Sequence, residues 1–279
     1  MKRRTFLKRA LQLGVLGTIP LGYAWQIEPF RLEFVKMDMP IENLPTELEG
    51  KILMQISDLH VGNRFDWRFL IDSFIKAKKF NPDFVVYTGD FVNKGTTKEL
   101  EYLKAVMEVA VKGTLGTFGV FGNHDYGQNW RNEKAALHLK ELLSDFDIQI
   151  LCNEKVDCHG LQFIGFEDLW SPNFNPQEGM KLYDSSLPAV VLCHNPDVCD
   201  LDVWNGYKGW VLSGHTHGGQ CRIPGFRAPL LPIKNKNYAA GKVNLKDGRT
   251  LYVNRALGHS YQVRFMVRPE ITVFKLLRA

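Results

Sequence analysis

Five short polar motifs, each following directly on an apolar run, constrain this chain more than any other feature. The run Lys51–Ile56 leads into Ser57-Asp58-Leu59-His60, Asp83–Tyr87 into Thr88-Gly89-Asp90, and Thr117–Phe121 into Gly122-Asn123-His124-Asp125. Farther along, Ala189–Cys193 is followed by His194-Asn195-Pro196, and Trp210–Ser213 by Gly214-His215-Thr216-His217-Gly218-Gly219. Taken singly, each motif reads as an ordinary turn closing a strand. Together they deliver carboxylates, imidazoles and a carboxamide to the ends of successive strands.

What lies between the runs fixes where those ends meet. Trp67–Lys79 has helical spacing at Phe69, Leu70, Phe74 and Ile75, and Thr97–Lys112 repeats it at Leu100, Leu103, Val106 and Met107. Arg131–Phe146 is a third helix. Strand–helix units of this length require right-handed crossovers and a mainly parallel sheet. In such an α/β sheet the carboxyl ends of the strands converge on one rim, where ligands bind. The later half carries short strands at Leu161–Gly165, Ala189–Cys193, Trp210–Ser213, Thr250–Asn254 and Ile271–Leu276, with fewer helices. These predict a second sheet facing the first, helices outside, in one domain spanning residues 50–279, preceded by a lead-in over 26–49.

The formal charge of +5 is concentrated at one end. Residues 1–24 contain Lys2, Arg3, Arg4, Lys8 and Arg9 and no acid; without them 30 basic residues face 30 acidic ones. A near-neutral body excludes a broad nucleic-acid footprint. The basic stretch precedes an apolar run from Ala10 to Trp25, so residues 1–25 read as a signal or membrane anchor. Arg3-Arg4-Thr5-Phe6-Leu7-Lys8 resembles the twin-arginine signal of bacteria, with Lys2 in place of the usual Ser or Thr. That implies the twin-arginine export machinery as a partner and a catalytic domain on the extracytoplasmic side, in the periplasm or cell envelope. Five cysteines (152, 158, 193, 199 and 221) cannot all pair within the chain and include no C-x-x-C, so most are expected as small buried hydrophobes.

Seven candidate ligands (Asp58, His60, Asp90, Asn123, His194, His215 and His217) exceed the four of one tetrahedral site. Their nitrogen and oxygen chemistry without thiolate suits Mn²⁺, Fe or Zn²⁺. Two ions sharing a carboxylate are the common arrangement for phosphoryl hydrolysis.

The order D-x-H, GD, GNHD, H, GHTH resembles the calcineurin-like metallophosphoesterases over residues 50–279. GHTHGGQ with Pro224 and Leu230-Leu231-Pro232, then Leu251–Arg255, Gly258 and Arg268–Ile271, is similar to that family's bacterial YkuE/YaeI-like branch. Ala256 departs from it, standing where the branch carries glycine. The resemblance implies a four-layer αββα sandwich and a hydrolase of phosphoester or pyrophosphate bonds using two divalent metal ions, Mn²⁺ first. It assigns Asp58, His60 and His217 to one metal and Asn123, His194 and His215 to the other, with Asp90 bridging. His124 is left to act on the leaving group as a catalytic residue, with Asp125 orienting its imidazole. Some members of the branch cleave UDP-2,3-diacylglucosamine, which implies a substrate met at the membrane surface, a phospholipid or a nucleotide-linked lipid. Trp170, Phe174, Phe226, Leu230 and Leu231 are expected to form an apolar lip beside the metals. A metallo-β-lactamase is excluded by the missing H-x-H-x-D-H run. A catalytically silent metal-binding scaffold is the alternative, and it sits poorly with a full ligand set and His124.

Overall fold

The computed structural model describes residues 20–223, 225–226 and 228–279. Arg3 and Arg4 lie outside them. The first sheet contains β1 (Glu33–Ile41), β2 (Ile52–Ile56), β3 (Phe84–Thr88), β4 (Gly116–Val120), β5 (Gln149–Ile150) and β12 (Glu270–Arg278), in the order β1-β12-β2-β3-β4-β5. Strands β2 to β5 are parallel to one another, while β12 runs antiparallel to β2. The second sheet contains β6 (Glu154–Cys158), β7 (Leu161–Gly165), β8 (Ala189–Leu192), β9 (Trp210–Ser213), β10 (Gly241–Asn244) and β11 (Thr250–Val253), in the order β10-β11-β9-β8-β7-β6. Its inner strands β7, β8, β9 and β11 are parallel.

Alternation along the strands distributes the core into layers. Phe84 and Val86 face the second sheet and join Phe118, Phe163, Leu192, Leu212 and Phe274 between the sheets. Val85 and Tyr87 face the other way, toward helices α1 (Arg68–Ala77), α2 (Thr97–Met107) and α3 (Glu133–Ser144). Thr96 starts α2 with a reciprocal capping box to Glu99. The outer face of the second sheet buries Val191, Val211, Trp204, Tyr207 and Tyr238 beneath the short helix α4 (Pro176–Lys181), 3-10 turns and loops. The result is the expected four-layer αββα sandwich, with a thin outer layer on that side.

Two expectations need correction. The run Ile271–Leu276 belongs to β12 and lies in the first sheet, between β1 and β2, not in the second. The segment treated as a lead-in supplies β1, which pairs with β12 in parallel over all nine of its residues, Glu33 to Ile41. Its side chains are largely half-exposed, so alternation along it is weak, as expected of an edge strand.

Residues 20–26 are helical and sit against the loop before β12. The Arg264 amide donates to the Ala24 carbonyl at 2.9 Å, and Tyr23 meets Phe265 edge to face. Among the described residues no helix is long and apolar enough to cross a membrane. All five cysteines are free; Cys193 and Cys199 are buried, the other three half-buried.

Candidate metal centre

The five predicted motifs meet at one rim, at the carboxyl ends of β2, β3, β4, β8 and β9. The backbone there is unusual. Asp58, His60, Asp90, His215 and His217 all have positive φ, between 45° and 69°. Asp tolerates this left-handed region better than most residues, and strain of this kind concentrates at functional sites. Two glycines make the convergence possible. A Cβ on Gly122 would strike Asp90 Oδ1 and sit 2.7 Å from His194 Nε2; one on Gly214 would strike Ser57 Oγ and Asp58 Oδ2. The glycines of GNHD and GHTH are therefore the gaps through which the polar side chains reach one another.

Two clusters result, and a third, made of His60, Asp90 and His124, overlaps both. Asp58, His60 and His217 bring one donor atom each within 4.8 Å of the others, as do Asp90, His194 and His215. His217 Nε2 lies 3.2 Å from Asp58 Oδ1 and 3.0 Å from His60 Nε2. Asp90 Oδ2 stands between the clusters, 3.4 Å from His60 Nε2 and 3.2 Å from His194 Nε2. His194 Nδ1 faces the Thr88 carbonyl at 2.7 Å, which directs its Nε2 inward. His215 is held the other way round: Nε2 faces the Pro232 carbonyl at 3.0 Å and Nδ1 points to His194 Nε2, 3.1 Å away. His194 and His215 thus turn one nitrogen to a carbonyl and present the other to the centre, whereas the Nδ1 atoms of His60 and His217 are buried without a partner.

The electrostatics suit cations. Burial pushes the Asp58 and Asp90 carboxyls up, but the surrounding histidines, His217 and His194 foremost, outweigh it and hold both well below the usual carboxylate range. Burial pushes His60 far down and His215 down to about 3, keeping both neutral, the form that binds metal. His194 is pulled up despite its burial, because Asp90 and Asp58 flank it. The side-chain oxygen Asn123 Oδ1 is buried without a hydrogen-bond partner. An orphaned carbonyl oxygen, inward-facing imidazole nitrogens and two ionised buried carboxylates form a donor set that divalent cations would satisfy. The residues fit the group.

His124 lies at the edge of this cluster. Its Nδ1 faces the Asn93 carbonyl at 2.7 Å and its amide donates to Asp90 Oδ1 at 2.9 Å. The expected pairing with Asp125 does not occur. Asp125 is buried and accepts the amides of Asp90, Phe91 and Gly122 at 2.8–2.9 Å and that of Val92 at 3.3 Å. It clamps the turn after β3 to the turn after β4 and is a positioning residue; Asn93 orients the imidazole. Sequence neighbours on a 3-10 turn, here Asn123–Tyr126, point in different directions, which is why adjacency misled.

The expected apolar lip divides. The Trp170 ring meets His215 edge to face at 4.7 Å and stacks on Trp130, whose ring lies 5.9 Å from His124. Phe174 and Leu231 are half-buried and pack against the core, whereas Phe226 and Leu230 face solvent. Trp130 was not anticipated, since it lies in a loop with no periodicity. Asp168 could have been: it follows β7 on the same rim, fully buried, with Oδ2 unpaired and its carboxyl pushed up to about 6 by burial. The strand-end rule that found the other motifs applies to Phe166-Glu167-Asp168 equally. Ala256, where the resemblance led us to expect glycine, has φ 70°, a left-handed conformation that glycine adopts at no steric cost.

A two-layer sheet whose strand ends gather buried carboxylates and imidazoles defines a metal-dependent hydrolase. Residues 52–219 match the sequence profile of the calcineurin-like phosphoesterases, and the chain belongs to that family, whose members hydrolyse phosphate esters and anhydrides. It is 27% identical to the UDP-2,3-diacylglucosamine pyrophosphatase LpxG of Chlamydia muridarum, covering 98% of each chain. It is 29% identical to the phosphodiesterase YaeI of Escherichia coli K12 (99% of this chain, 100% of that one) and 28% identical to the metallophosphoesterase YkuE of Bacillus subtilis 168 (99% and 98%).

Proposed function

We propose that this chain hydrolyses a phosphodiester or pyrophosphate bond in a lipid substrate met at the membrane surface, using two Mn²⁺ ions. The observation that carries the metal assignment is Asp90 Oδ2, placed within 3.4 Å of histidines from both clusters. Asp58, His60 and His217 would hold one ion and Asn123, His194 and His215 the other, with Asp90 available to both. When bound, such a pair activates water near neutral pH and neutralises phosphoryl oxygens. Fe or Zn²⁺ would satisfy the same nitrogen and oxygen donors.

His124 serves the departing oxygen. The Asn93 carbonyl accepts its Nδ1–H, leaving Nε2 to carry or release the proton that the leaving group needs, a contribution typically of ~10²–10⁴-fold. Asp125 keeps the two turns in register so that His124 and Asp90 stay adjacent.

The name of the chlamydial relative supports a nucleotide-linked acyl sugar, and that of the Escherichia coli relative a broader phosphodiester class. The test compares acylated and deacylated forms of one diester or pyrophosphate, both below the micelle threshold, with Mn²⁺ supplied. A kcat/KM at least tenfold higher for the acylated form is expected; equal values would leave a general phosphodiesterase.

Arg3-Arg4 supports twin-arginine export and a catalytic domain outside the cytoplasmic membrane. Replacing both with lysine should leave the protein inside the cell on fractionation. Undiminished export of that variant would make the segment a general signal or a simple anchor.

A further inference from the structure

Three separate segments that pack on one another each carry exposed apolar side chains. The first is the N-terminal helical stretch with Leu21 and Trp25, the second the loop after His217 with Phe226 and Leu230, and the third the loop before β12 with Tyr261 and Met266. All six are exposed by more than half, Leu230 by 79% and Phe226 by 72%. The segments are tied to one another by hydrogen bonds. Gln262 Nε2 donates to the Trp25 carbonyl and the Arg264 amide to that of Ala24. Gln220 Nε2 donates to the carbonyls of Tyr261 and Val263, and the Arg222 amide to that of Phe265.

Charge distinguishes this face from an ordinary apolar patch. Residues 217–236 and 255–268 contain no Asp or Glu, and the one acid in residues 20–32 is the buried Glu28. The same stretches carry Arg31, Arg222, Lys234, Lys236 and Arg268. Arg64 adds its guanidinium over the Tyr261 ring, 4.4 Å from its centroid. Asp197 and Asp200 bond the backbone amides of Lys234 and Asn235 and the Asn235 side chain, but among the described residues none of these cations forms an ion pair. Large apolar side chains set among such cations are the composition of a surface that meets anionic lipid. The chain upstream points to the same occupant, since an apolar run with five basic residues before it leads directly into Leu21.

We infer that these three segments form one docking face for an anionic bilayer surface. The inference rests on the lipid-substrate reading and adds where the protein meets the lipid. The face borders the catalytic rim through the chain itself: the second loop leaves from His217 and returns to place the Pro232 carbonyl on His215. Phe226 and Leu230 enter the headgroup region, on the loop whose Pro232 carbonyl meets His215.

The test follows hydrogen exchange in the full chain with vesicles of phosphatidylglycerol in phosphatidylcholine and with pure phosphatidylcholine. Exchange should slow by about tenfold or more at 222–231 and 260–266 with the anionic vesicles and change little with the neutral ones. The Phe226→Ser/Leu230→Ser variant should lose that protection and cleave a vesicle-held diester at least tenfold more slowly, because burying each such side chain favours the bound state by about tenfold or more. Its kcat/KM on a soluble chromogenic diester should be unchanged. Protection confined to residues before 28, with both loops exchanging as in the free chain, overturns the docking face and leaves the lipid-substrate reading standing. Concentration-dependent protection without vesicles overturns it in favour of a contact between two copies of the chain. The comparison of acylated with deacylated substrate in solution tests the lipid-substrate reading separately.

Discussion

The turns after β2, β3 and β4 and the loop from Gln220 to Pro232 border the same site, yet they are built in opposite ways. In the turns, Asp58, His60, Asp90, Asn123 and Asp125 are all buried, and their carboxylates accept backbone amides from neighbouring turns. In the loop, Ile223, Phe226 and Leu230 stand in solvent, and Gln220, through its side chain and its carbonyl, supplies several of the contacts to the next segment. On the proposed reading the difference separates chemistry from recognition: metal geometry needs atoms fixed by a network that cannot relax, whereas a surface for lipid would gain from side chains free to adapt.

The sharpest way to break that comparison is to remove Asp125. Asp125→Ala would leave four buried amides without their acceptor, at roughly 3 kcal/mol or more in unfolding free energy. Leu230→Ala in the loop should stay within about 0.5 kcal/mol of wild type. Urea denaturation of the metal-free protein measures both. Similar losses for the two variants would mean that the rim is no more tightly built than the loop.

A smaller effect concerns Glu167, which accepts the Tyr126 hydroxyl beside the rim. Burial and the neighbouring Asp168 push its carboxyl up from 4.5 to about 7. The folded state therefore keeps this proton to higher pH than the unfolded chain does. Its contribution to stability is full below about pH 4.5 and is lost as pH rises through about 7. Glu167→Gln should flatten the pH dependence of stability across that window by roughly 2–3 kcal/mol. An unchanged slope would mean that the carboxyl is ionised in the fold. No such effect can come from the Gln220–Pro232 loop, which has no acid.

The same contrast explains what could be read in advance. Leu161–Gly165 and Trp210–Ser213 were legible to the residue, because buried parallel strands read as short apolar runs. The seven candidate ligands were legible because each follows such a run directly. Edge strands were not: β1 alternates weakly, and β10 alternates only between half-buried and exposed residues over four positions. Partnerships set by side-chain direction were also hidden. Nothing in Asn123-His124-Asp125 says that the acid turns toward three amides of the preceding β3 turn, or that the Asn93 carbonyl takes the imidazole. Trp130 stacks on a residue forty positions away and gave no local signal at all.

The central claim is that Asp90 is shared by two metal ions while His124 acts on the substrate without holding either. Elemental analysis of the purified full chain, its Asp90→Ala variant and its His124→Ala variant, each loaded with Mn²⁺ and then passed through gel filtration, tests it directly. The account predicts two tightly held ions per chain in the wild type and in His124→Ala, with turnover of the latter reduced by ~10²-fold or more. It predicts that Asp90→Ala retains neither ion through the column. Two ions retained by Asp90→Ala, or loss of metal from His124→Ala, would contradict it.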